Sequence, residues 1–453
     1  MNTQQLLSRS FGFTDHNVLR RHAASRLIYA LQPTTTTFSQ RPPSKDNPAD
    51  HSVAHPSGVN TLAIDKFEGR YLLSGGADSS IGLWDLEEPS SISHHGSPVY
   101  LPLSSTTKTS EEHKLGITQL CFYPFDSLAF LSSSYDHTVK IYSSETLQDS
   151  ASFDLDSVVY NIALSPIADH LLVACATQHP AVRLIDLRSG ASTHSLAGHS
   201  GAILSCAWSP VRDHILASGA TDGSVRFWDI RRSVGELGTL DLEDSVGVMG
   251  RPSSTRGSVQ NKAHRGPVNG MLWTEDGKHI ITCGHDQRIR VWDTDTGANT
   301  LANFGPMVRN SHLAPLIPVL APVCDLPVEK DVVFYPNEHE ILVYELFEGN
   351  LLRRLKRLEQ ARKLNEGSSG KGRRNVKDRI TALAWRAHDI ELYSAHADGS
   401  IAAWKPRPTE DALLDEEEEQ ERDEAESSKK RKRDVLEDIY HDLMGRKITF
   451  GGS

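Results

Sequence analysis

Residues 199–232 read HSGAILSCAWSPVRDHILASGATDGSVRFWDIRR, and the pattern of this stretch predicts the fold of the chain. Three short apolar runs, 202–208, 214–218 and 224–230, each run into turn-forming or charged residues. Short apolar runs bounded by Pro, Gly, Asp and Ser are typical of β-strands joined by tight turns. We therefore predict three antiparallel strands that follow one another in a meander.

The stretch is one copy of a repeat that its polar residues make visible. Ser218, Asp222 and Trp228 are separated by four and six residues. The same spacing of Ser or Thr, Asp and an aromatic residue recurs at Ser74/Asp78/Trp84, Ser132/Asp136/Tyr142, Thr282/Asp286/Trp292 and Ser394/Asp398/Trp404. A histidine precedes the Ser or Thr by 18 or 19 residues at His55, His113, His199 and His264. Self-similarity of this kind indicates an array of structural repeats.

These polar residues can form one buried hydrogen-bond network in each repeat. The aspartate can accept from the histidine ring, the ring can bond the Ser or Thr hydroxyl, and the indole N–H completes the set. Three copies hold all four residue types: His55, Ser74, Asp78 and Trp84; His199, Ser218, Asp222 and Trp228; and His264, Thr282, Asp286 and Trp292. The same types form the triad of a serine hydrolase. Because the set returns in successive repeats, it favours a structural role, the fixing of strand register.

The start and the end of the stretch carry a further signal. Gly198-His199 and Trp228-Asp229, at this spacing, are the signature of a WD repeat. We predict an all-β chain that forms a seven-bladed WD-repeat β-propeller over residues 50–405, with the sixth blade within 300–355. Residues 50–54 are expected to supply the outer strand that closes the ring.

Three stretches interrupt the repeats and are expected to be surface insertions. They are polar or rich in Gly and Ser, and they cover residues 88–112, 233–262 and 353–377. The second is too long for a simple hairpin loop.

Composition excludes several classes of function. The 453 residues carry a net charge of −11, and no basic face that could follow a phosphate backbone is visible, so we expect no direct nucleic-acid partner. No apolar run is long enough to span a membrane. The five cysteines are far apart and form no CxxC pair, which indicates neither a metal site nor redox chemistry. We expect no cofactor and an intracellular protein.

The N-terminal residues 1–31 are predicted to form a helix–loop–helix arm, followed by a linker at 32–49. Leu19, Ala23 and Leu27 recur at intervals of four on one face of the second helix. This apolar stripe needs burial. It can pack as a flap on the side of the propeller or dock in a groove of a partner, and the sequence leaves both open.

The C-terminal residues 406–453 are predicted to be a disordered tail. Eleven acidic residues lie within 410–426. A basic cluster follows, Lys429, Lys430, Arg431, Lys432 and Arg433, which is interpreted as a nuclear-import signal or, alternatively, as a counter-charge to the acidic run. Residues 434–444 are expected to form a short amphipathic helix that docks on a partner or folds back.

Several segments resemble the Cockayne syndrome group A proteins, a family of WD-repeat substrate receptors in transcription-coupled DNA repair. The resemblance covers about 11–31 and 58–404. It rests on GVNTLAID (58–65), EGRYLLSGG (68–76), residues 207–232, AHRGPVN (263–269), GANTLANFG (297–305) and Arg20-Arg21-His22-Ala23. GANTLANFG is the most specific segment because it is not a general WD-repeat feature. The chain departs from the family in blade six, in the three insertions and in the tail.

The resemblance implies a function without catalysis. Such a protein links a cullin-RING ubiquitin ligase, through the ligase's triple-propeller adaptor, to a transcription-coupled repair ATPase and indirectly to stalled RNA polymerase II. It would act in the nucleus as a monomer within a complex. It also implies that the helical arm and the Trp-Asp-x-Arg box bind the adaptor. The implied adaptor-binding residues are Leu6, Leu7, Leu19, Arg20, Arg21, Leu27, Trp228, Asp229 and Arg231.

Two other classes of function remain. A histone- or chromatin-binding WD-repeat scaffold without a ligase would show the same repeats, and purification without cullin subunits would favour it. An enzyme would need a polar constellation that does not repeat, and the sequence shows none.

Overall fold

The structure is a computed structural model that describes residues 11–12, 16–41, 53–92, 98–106, 112–167, 170–232, 235–242, 262–327, 330–357, 379–386 and 388–407. The chain divides into two compact units, Met1–Lys405 and Pro406–Ser453. The described helices and strands belong to the first unit, except that the last strand ends at Pro406. The predicted helix 4–9, the acidic run, the basic cluster and the helix 434–444 lie outside the described residues.

The described chain begins with one α-helix and two short strands. Helix α1 covers His16–Tyr29, strand β1 covers Leu31–Pro33 and strand β2 covers Thr37–Phe38. The two strands belong to two different sheets.

The first half of the chain forms three four-stranded meanders and one small sheet. Meander 1 consists of β3 (Val59–Ile64), β4 (Tyr71–Gly76), β5 (Ile81–Asp85) and, after β6 (Ser91–Ile92) and β7 (Pro98–Tyr100), β8 (Pro102–Ser105). Meander 2 consists of β9 (Ile117–Phe122), β10 (Ala129–Ser134), β11 (Thr138–Ser143) and β12 (Asp149–Asp154). Meander 3 consists of β13 (Val159–Leu164), β14 (Leu172–Thr177), β15 (Ala181–Asp186) and β16 (Ala191–Ala197).

The second half forms four more meanders. Meander 4 consists of β17 (Ile203–Trp208), β18 (Ile215–Ala220), β19 (Val225–Asp229) and β20 (Glu236–Thr239). Meander 5 consists of β21 (Val268–Trp273), β22 (His279–Gly284) and β23 (Arg288–Asp293). Meander 6 consists of β24 (Val319–Leu320), a 3-10 helix at Val323–Asp325, β25 (Val332–Pro336), β26 (Glu340–Glu345) and β27 (Leu351–Lys356). Meander 7 consists of β28 (Ile380–Arg386), β29 (Glu391–His396) and β30 (Ile401–Pro406).

The described residues thus form eight sheets, where the sequence predicts seven blades. Seven are the meanders, each with its strands in sequence order except for the outermost strand of meander 7. The eighth sheet has the order β2-β7-β6, contains a parallel pair, and is built from strands of two or three residues. The chain is an all-β propeller with one α-helix in its described part.

The seven meanders are joined by seven apolar clusters. Each cluster lies between two successive meanders, and the cluster that contains Trp84 and Tyr393 joins meander 7 to meander 1. The first strands of neighbouring meanders contact one another from β28 through β3, β9, β13 and β17 to β21. The meanders therefore form a closed ring, with their first strands towards the centre.

Meander 4 shows why its strands are apolar throughout rather than alternating. A meander in a ring packs against a neighbour on each side, so both faces of its inner strands are buried. All six residues of β18 are buried, and Leu216 pairs with Trp228 across β18 and β19. The turn that joins these strands needs a glycine. Gly223 has φ +84°, and a Cβ there would lie 2.4 Å from the His264 carbonyl oxygen.

The strand that completes meander 7 corrects the predicted domain boundaries. Strand β1 pairs with β30, so the outer strand comes from Leu31–Pro33 and not from residues 50–54. Phe38 is buried between meanders 7 and 1, and the Ser39 N–H donates to the Tyr100 carbonyl oxygen at 3.0 Å. Residues 31–41 are therefore part of the folded ring. The Thr, Pro and Gln residues there favour the prediction of a linker at 32–49, but edge pairing needs few apolar side chains.

All three predicted insertions contain strands. Residues 88–112 include β6, β7 and β8, residues 233–262 include β20, and residues 353–377 include the end of β27. Outer strands are half-exposed, as the alternating burial of β12 illustrates, so their sequences are polar and do not show the apolar runs of inner strands.

The ends of the meanders form two faces, which we name from their turns. The lower face carries the connections between first and second strands and between third and fourth strands. The upper face carries the connections between second and third strands and those that lead from one meander to the next. Because neighbouring strands of a meander are antiparallel, these two sets of turns lie at opposite ends. In the described part of the chain, no helix is long and apolar enough to cross a membrane.

Candidate functional site

The four predicted polar residues of meander 4 meet in its interior. The Trp228 Nε1–H donates to the Ser218 hydroxyl at 2.7 Å, and His199 Nε2 lies 2.7 Å from the same oxygen. The other ring nitrogen, Nδ1, lies 2.8 Å from the Ser224 hydroxyl, which donates to Asp222 at 2.6 Å. Asp222 itself is 3.7 Å from the ring. The expected direct bond between aspartate and histidine is therefore replaced by a bridge through Ser224.

Meander 5 has the direct bond. His264 Nδ1 lies 2.9 Å from Asp286, His264 Nε2 lies 2.8 Å from the Thr282 hydroxyl, and Trp292 donates to that hydroxyl at 2.9 Å. Burial lowers the pKa of His264, so its ring is neutral near pH 7. A neutral ring that donates from Nδ1 to Asp286 accepts from Thr282 at Nε2, which satisfies every member of the set.

The aspartates of both networks are held ionised. Burial alone would raise the pKa of the Asp222 carboxyl, but the nearby His199 ring, the Ser224 hydroxyl and backbone N–H groups outweigh it and lower that pKa well below its usual range. In meander 1, the same balance brings the pKa of Asp78 to about 2. Each carboxylate is thus a charged acceptor that organises a tight turn.

Sequence reasoning missed three members of the networks, in meanders 1, 4 and 7. The residue two positions after the aspartate, Ser80 or Ser224, bridges it to the histidine in meanders 1 and 4. In meander 7, His396 lies 3.1 Å from the Ser394 hydroxyl, although it comes from the same strand and not from upstream. A hydroxyl at that fixed offset was visible in the sequence, whereas the role of His396 depends on the register of β29.

The polar networks are too deeply buried for a substrate to reach them. Ser218 and Thr282 are completely buried, and His199 and His264 are nearly so. A nucleophile must reach its substrate, and these hydroxyls already bond an indole and an imidazole. Within the described ranges, no cluster of His, Cys, Asp and Glu could hold a metal ion. The networks can position strands, and nothing in their geometry offers a reaction site.

The Trp-Asp-x-Arg box places only its arginine at the surface. Trp228 and Asp229 are buried, so they cannot contact a partner as the resemblance implies. Arg231 follows β19 on the lower face, and its side chain is 63% exposed. Its guanidinium donates to both Asp229 oxygens, each at 3.1 Å, and this pair lowers the pKa of Asp229. The planar guanidinium of Arg231 is thereby held in a fixed orientation on the lower face.

Helix α1 packs on the ring rather than presenting its whole apolar face to solvent. Leu19 and Ile28 are buried, and Ile28 belongs to the apolar cluster between meanders 6 and 7. The helix contacts the 3-10 helix Val323–Asp325, and Arg353 donates to the Tyr29 carbonyl oxygen. Since the 3-10 helix connects the first two strands of meander 6, α1 lies at the lower face.

The implied adaptor-binding residues of the arm therefore separate into two groups. Leu19 is only 4% exposed and is engaged in packing. Arg20 is exposed, Arg21 is half-buried, and Leu27 is 45% exposed. Leu6 and Leu7 lie outside the described residues, as do Lys429, Lys430, Arg431, Lys432 and Arg433. Arg20 and Leu27 are seven residues apart, which is close to two helical turns, so they share one outward face.

The lower face also carries a ring of exposed apolar side chains that no sequence pattern indicates. Five of the seven meanders present a large apolar residue in the connection between their first and second strands, and each is 43–57% exposed. We call this set the lower apolar ring: Phe67, Phe125, Leu128, Ile167, Val211 and Val323. Members from different meanders are far apart in the chain, so only the closed ring brings them to one face.

Comparisons with known proteins agree with the repeat pattern. The WD domain, G-beta repeat family matches residues 50–85, 104–143, 190–229 and 257–293. These four matches end at the third strands of meanders 1, 2, 4 and 5. Meanders 3, 6 and 7 are unmatched, in keeping with Ile185-Asp186 in the Trp-Asp position of meander 3.

Several relatives are similar over different lengths. The WD repeat-containing protein ATCSA-1 of Arabidopsis thaliana is 28% identical over 82% of this chain and 90% of its own length. Radiation-sensitive protein 28 of Saccharomyces cerevisiae is 28% identical over 49% of this chain and 43% of its own. The ribosome biogenesis protein ytm1 of Aspergillus niger is 29% identical over 54% of each.

The four repeat matches, the propeller architecture and the repeated His/Ser/Asp/Trp networks agree on one assignment. Four stretches of the chain match the WD repeat, and the described residues fold as an all-β WD-repeat propeller.

Proposed function

We propose that this protein is a non-catalytic substrate receptor of a cullin-RING ubiquitin ligase in transcription-coupled DNA repair. In this proposal the seven meanders are the seven blades of the propeller. The lower face binds the ligase's triple-propeller adaptor, and the protein recruits the repair ATPase and, indirectly, stalled RNA polymerase II in the nucleus. The receptor would have no catalytic role of its own. It would hold the substrate near the ligase and so raise the local concentration of the substrate.

One observation carries the proposal: α1, Arg231 and the lower apolar ring share a single face. Separate elements supply these groups, and the apolar ring has no partner within the described chain that covers it. A partner that engages the helix and the face together gains two linked contacts, so its affinity exceeds that of either contact alone. The similarity to ATCSA-1 over most of both chains supports the repair assignment, and that to radiation-sensitive protein 28 agrees with it.

A binding experiment with purified adaptor tests the lower face. The double substitution Arg20→Glu with Leu27→Asp reverses one charge and places another where an apolar contact is expected. Both side chains face outwards, so the ring should stay folded. We expect at least a tenfold loss of affinity by calorimetry, about 1.4 kcal/mol or more. The matched control is Leu115→Asp, because Leu115 is a similarly exposed leucine on the upper face.

The outcomes separate the possibilities. Equal losses in both variants would mean that added charge acts non-specifically, and unchanged binding of the double variant would remove α1 from the interface. Wild-type protein that does not bind the adaptor contradicts the ligase proposal. Mass spectrometry of the native complex then tests the alternative, a chromatin scaffold without a ligase. Histones without cullin subunits in the complex would support that alternative.

A further inference from the structure

The mouth of the ring on the upper face contains a cavity of about 40 Å3. Its lining comes from meanders far apart in the chain, through Asn60, Tyr135, Glu338 and Arg379, and from the segment 309–316 that leads into meander 6. A cavity of this size holds a few water molecules or one small polar group, since a single water needs roughly 10–15 Å3 by the same measure. It is too small for a nucleotide or a peptide backbone.

The segment 309–316 is fixed at this mouth by buried asparagines. The Asn269 side chain donates to the carbonyl oxygens of His312 and Ala314 at 2.9 and 2.8 Å, and Asn310 donates back to Asn269 at 2.7 Å. The Arg309 N–H donates to the Asn337 side chain at 2.9 Å. Because the backbone is held on both sides, the side chains of Arg309 and His312 start from fixed positions beside the cavity.

The guanidinium groups that line the cavity have donors without hydrogen-bond partners among the described residues. Arg379 Nε is buried and has no hydrogen-bond partner in the described part of the chain, and burial lowers the pKa of this guanidinium. The Arg309 guanidinium is exposed and forms no ion pair with any described residue. Buried polar atoms are nearly always paired, so the unpaired Nε–H of Arg379, which lines the cavity, calls for an external acceptor.

The charged residues at the cavity favour a ligand with a single negative charge. Two arginines face one carboxylate, Glu338, which accepts a hydrogen bond from the Ser311 hydroxyl at 2.8 Å. Burial and the neighbouring Arg379 lower the pKa of His312, which is then neutral near pH 7. The local balance is about +1, which one carboxylate neutralises. A phosphate group at pH 7 carries about −1.5 to −2 and would meet stronger repulsion from Glu338.

We propose that this cavity binds the carboxylate of a single aspartate or glutamate side chain presented by a partner protein. Arg379 would bond the carboxylate from the wall of the cavity and Arg309 from its rim, an arrangement suited to the planar fork of arginine. The site lies at the opposite ends of the meanders from the lower face, so its occupation leaves that face free. The inference does not rest on the ligase assignment, because any partner with an exposed acidic side chain can occupy the cavity.

Fluorescence anisotropy with the full chain tests the proposal. The probe is a fluorescein-labelled octapeptide in which glutamate and glycine alternate. Two companion peptides carry glutamine or phosphoserine in place of glutamate. The variants are Arg379→Gln and a matched control, Arg265→Gln, which removes an exposed arginine from the same face but outside the cavity lining.

We expect the glutamate peptide to bind more tightly than both companions. Arg379→Gln should weaken it about tenfold, as expected for the loss of a charge-assisted hydrogen bond, and Arg265→Gln less than twofold. Equal binding of the glutamate and glutamine peptides, or equal effects of the two variants, overturns the proposal. Tighter binding of the phosphoserine peptide overturns the assignment to a carboxylate. If Arg379→Gln does not fold, Arg309→Gln takes its place, because Arg309 is exposed and its removal leaves no packing defect.

Discussion

At the scale of single residues, the polar networks of different meanders link the aspartate to the histidine in different ways, yet each forms a buried hydrogen-bond set. Meander 4 uses Ser224 between Asp222 and His199, whereas meander 5 joins Asp286 to His264 directly. In both, the indole and the imidazole converge on one buried hydroxyl. A buried network of this kind is costly to break, because each removed member leaves a partner unsatisfied in a region of low polarity.

The first prediction concerns Asp222. Asp222→Ala removes the acceptor of the Ser224 hydroxyl and of two backbone N–H groups, and should lower the free energy of unfolding by roughly 1–3 kcal/mol. Thermal and urea denaturation measure the loss. Asp295→Ala is the control, because the ion pair of Asp295 with Arg212 is exposed and such pairs contribute about 0–1 kcal/mol. An unchanged melting temperature for Asp222→Ala would refute the structural role of the network.

At the scale of elements, the N-terminal segment is both a helix and a strand of the ring. Helix α1 leaves Arg20 and Leu27 exposed, while Leu31, immediately after it, is completely buried between meanders 6 and 7. A truncation of residues 1–31 would therefore remove part of the ring together with the arm. A role of α1 in binding has to be tested by substitution of its exposed residues, because the residues that follow the helix are part of the folded ring.

The second prediction uses two leucines of this segment. Leu31→Ala removes a buried side chain from the cluster of meanders 6 and 7 and should cost about 2–5 kcal/mol in unfolding free energy. Leu27→Ala should change it by less than about 0.5 kcal/mol, because Leu27 is half-exposed. Denaturant unfolding of the two variants gives the comparison. Equal effects would contradict the integration of residues 31–33 into meander 7.

At the scale of the whole molecule, stability depends on the contact that joins the last meander to the first. Phe38 lies between meanders 7 and 1. Its ring centroid is 5.4 Å from the ring centroid of Trp84, 5.1 Å from that of Tyr100 and 6.1 Å from that of Tyr393. The chain thus closes its ring with a segment that precedes meander 1, which ties the two ends of the propeller together.

The third prediction concerns this closure. Phe38→Ala should lower the unfolding free energy by about 3–5 kcal/mol while unfolding remains one transition, because each meander is packed on both sides. Calorimetry gives the transition, and hydrogen exchange should show faster exchange in distant meander 4 as well. Phe67→Ala, at an exposed phenylalanine of the lower apolar ring, is the control. Faster exchange confined to meanders 1 and 7 would show that the ring opens locally instead.

The repeated unit could be predicted from local sequence patterns. The inner strands, their tight turns and the His/Ser/Asp/Trp spacing are set locally, within a single repeat, and the structure places the three strands of residues 199–232 where the pattern predicts them. Local patterns suffice there because apolar runs and turn residues act over short distances. The same patterns failed for β1, β8 and β20, since outer strands are half-exposed and carry polar residues.

The side chains that meet across the ring could not be predicted from local patterns. The lower apolar ring and the cavity of Arg309, Glu338 and Arg379 join residues from distant meanders, and no spacing in the sequence relates them. The burial of Leu19 and the exposure of Leu27 likewise depend on where α1 rests, although both belong to one predicted stripe. Closure of the ring brings residues that are distant in the chain into contact, and this long-range geometry carries the candidate sites.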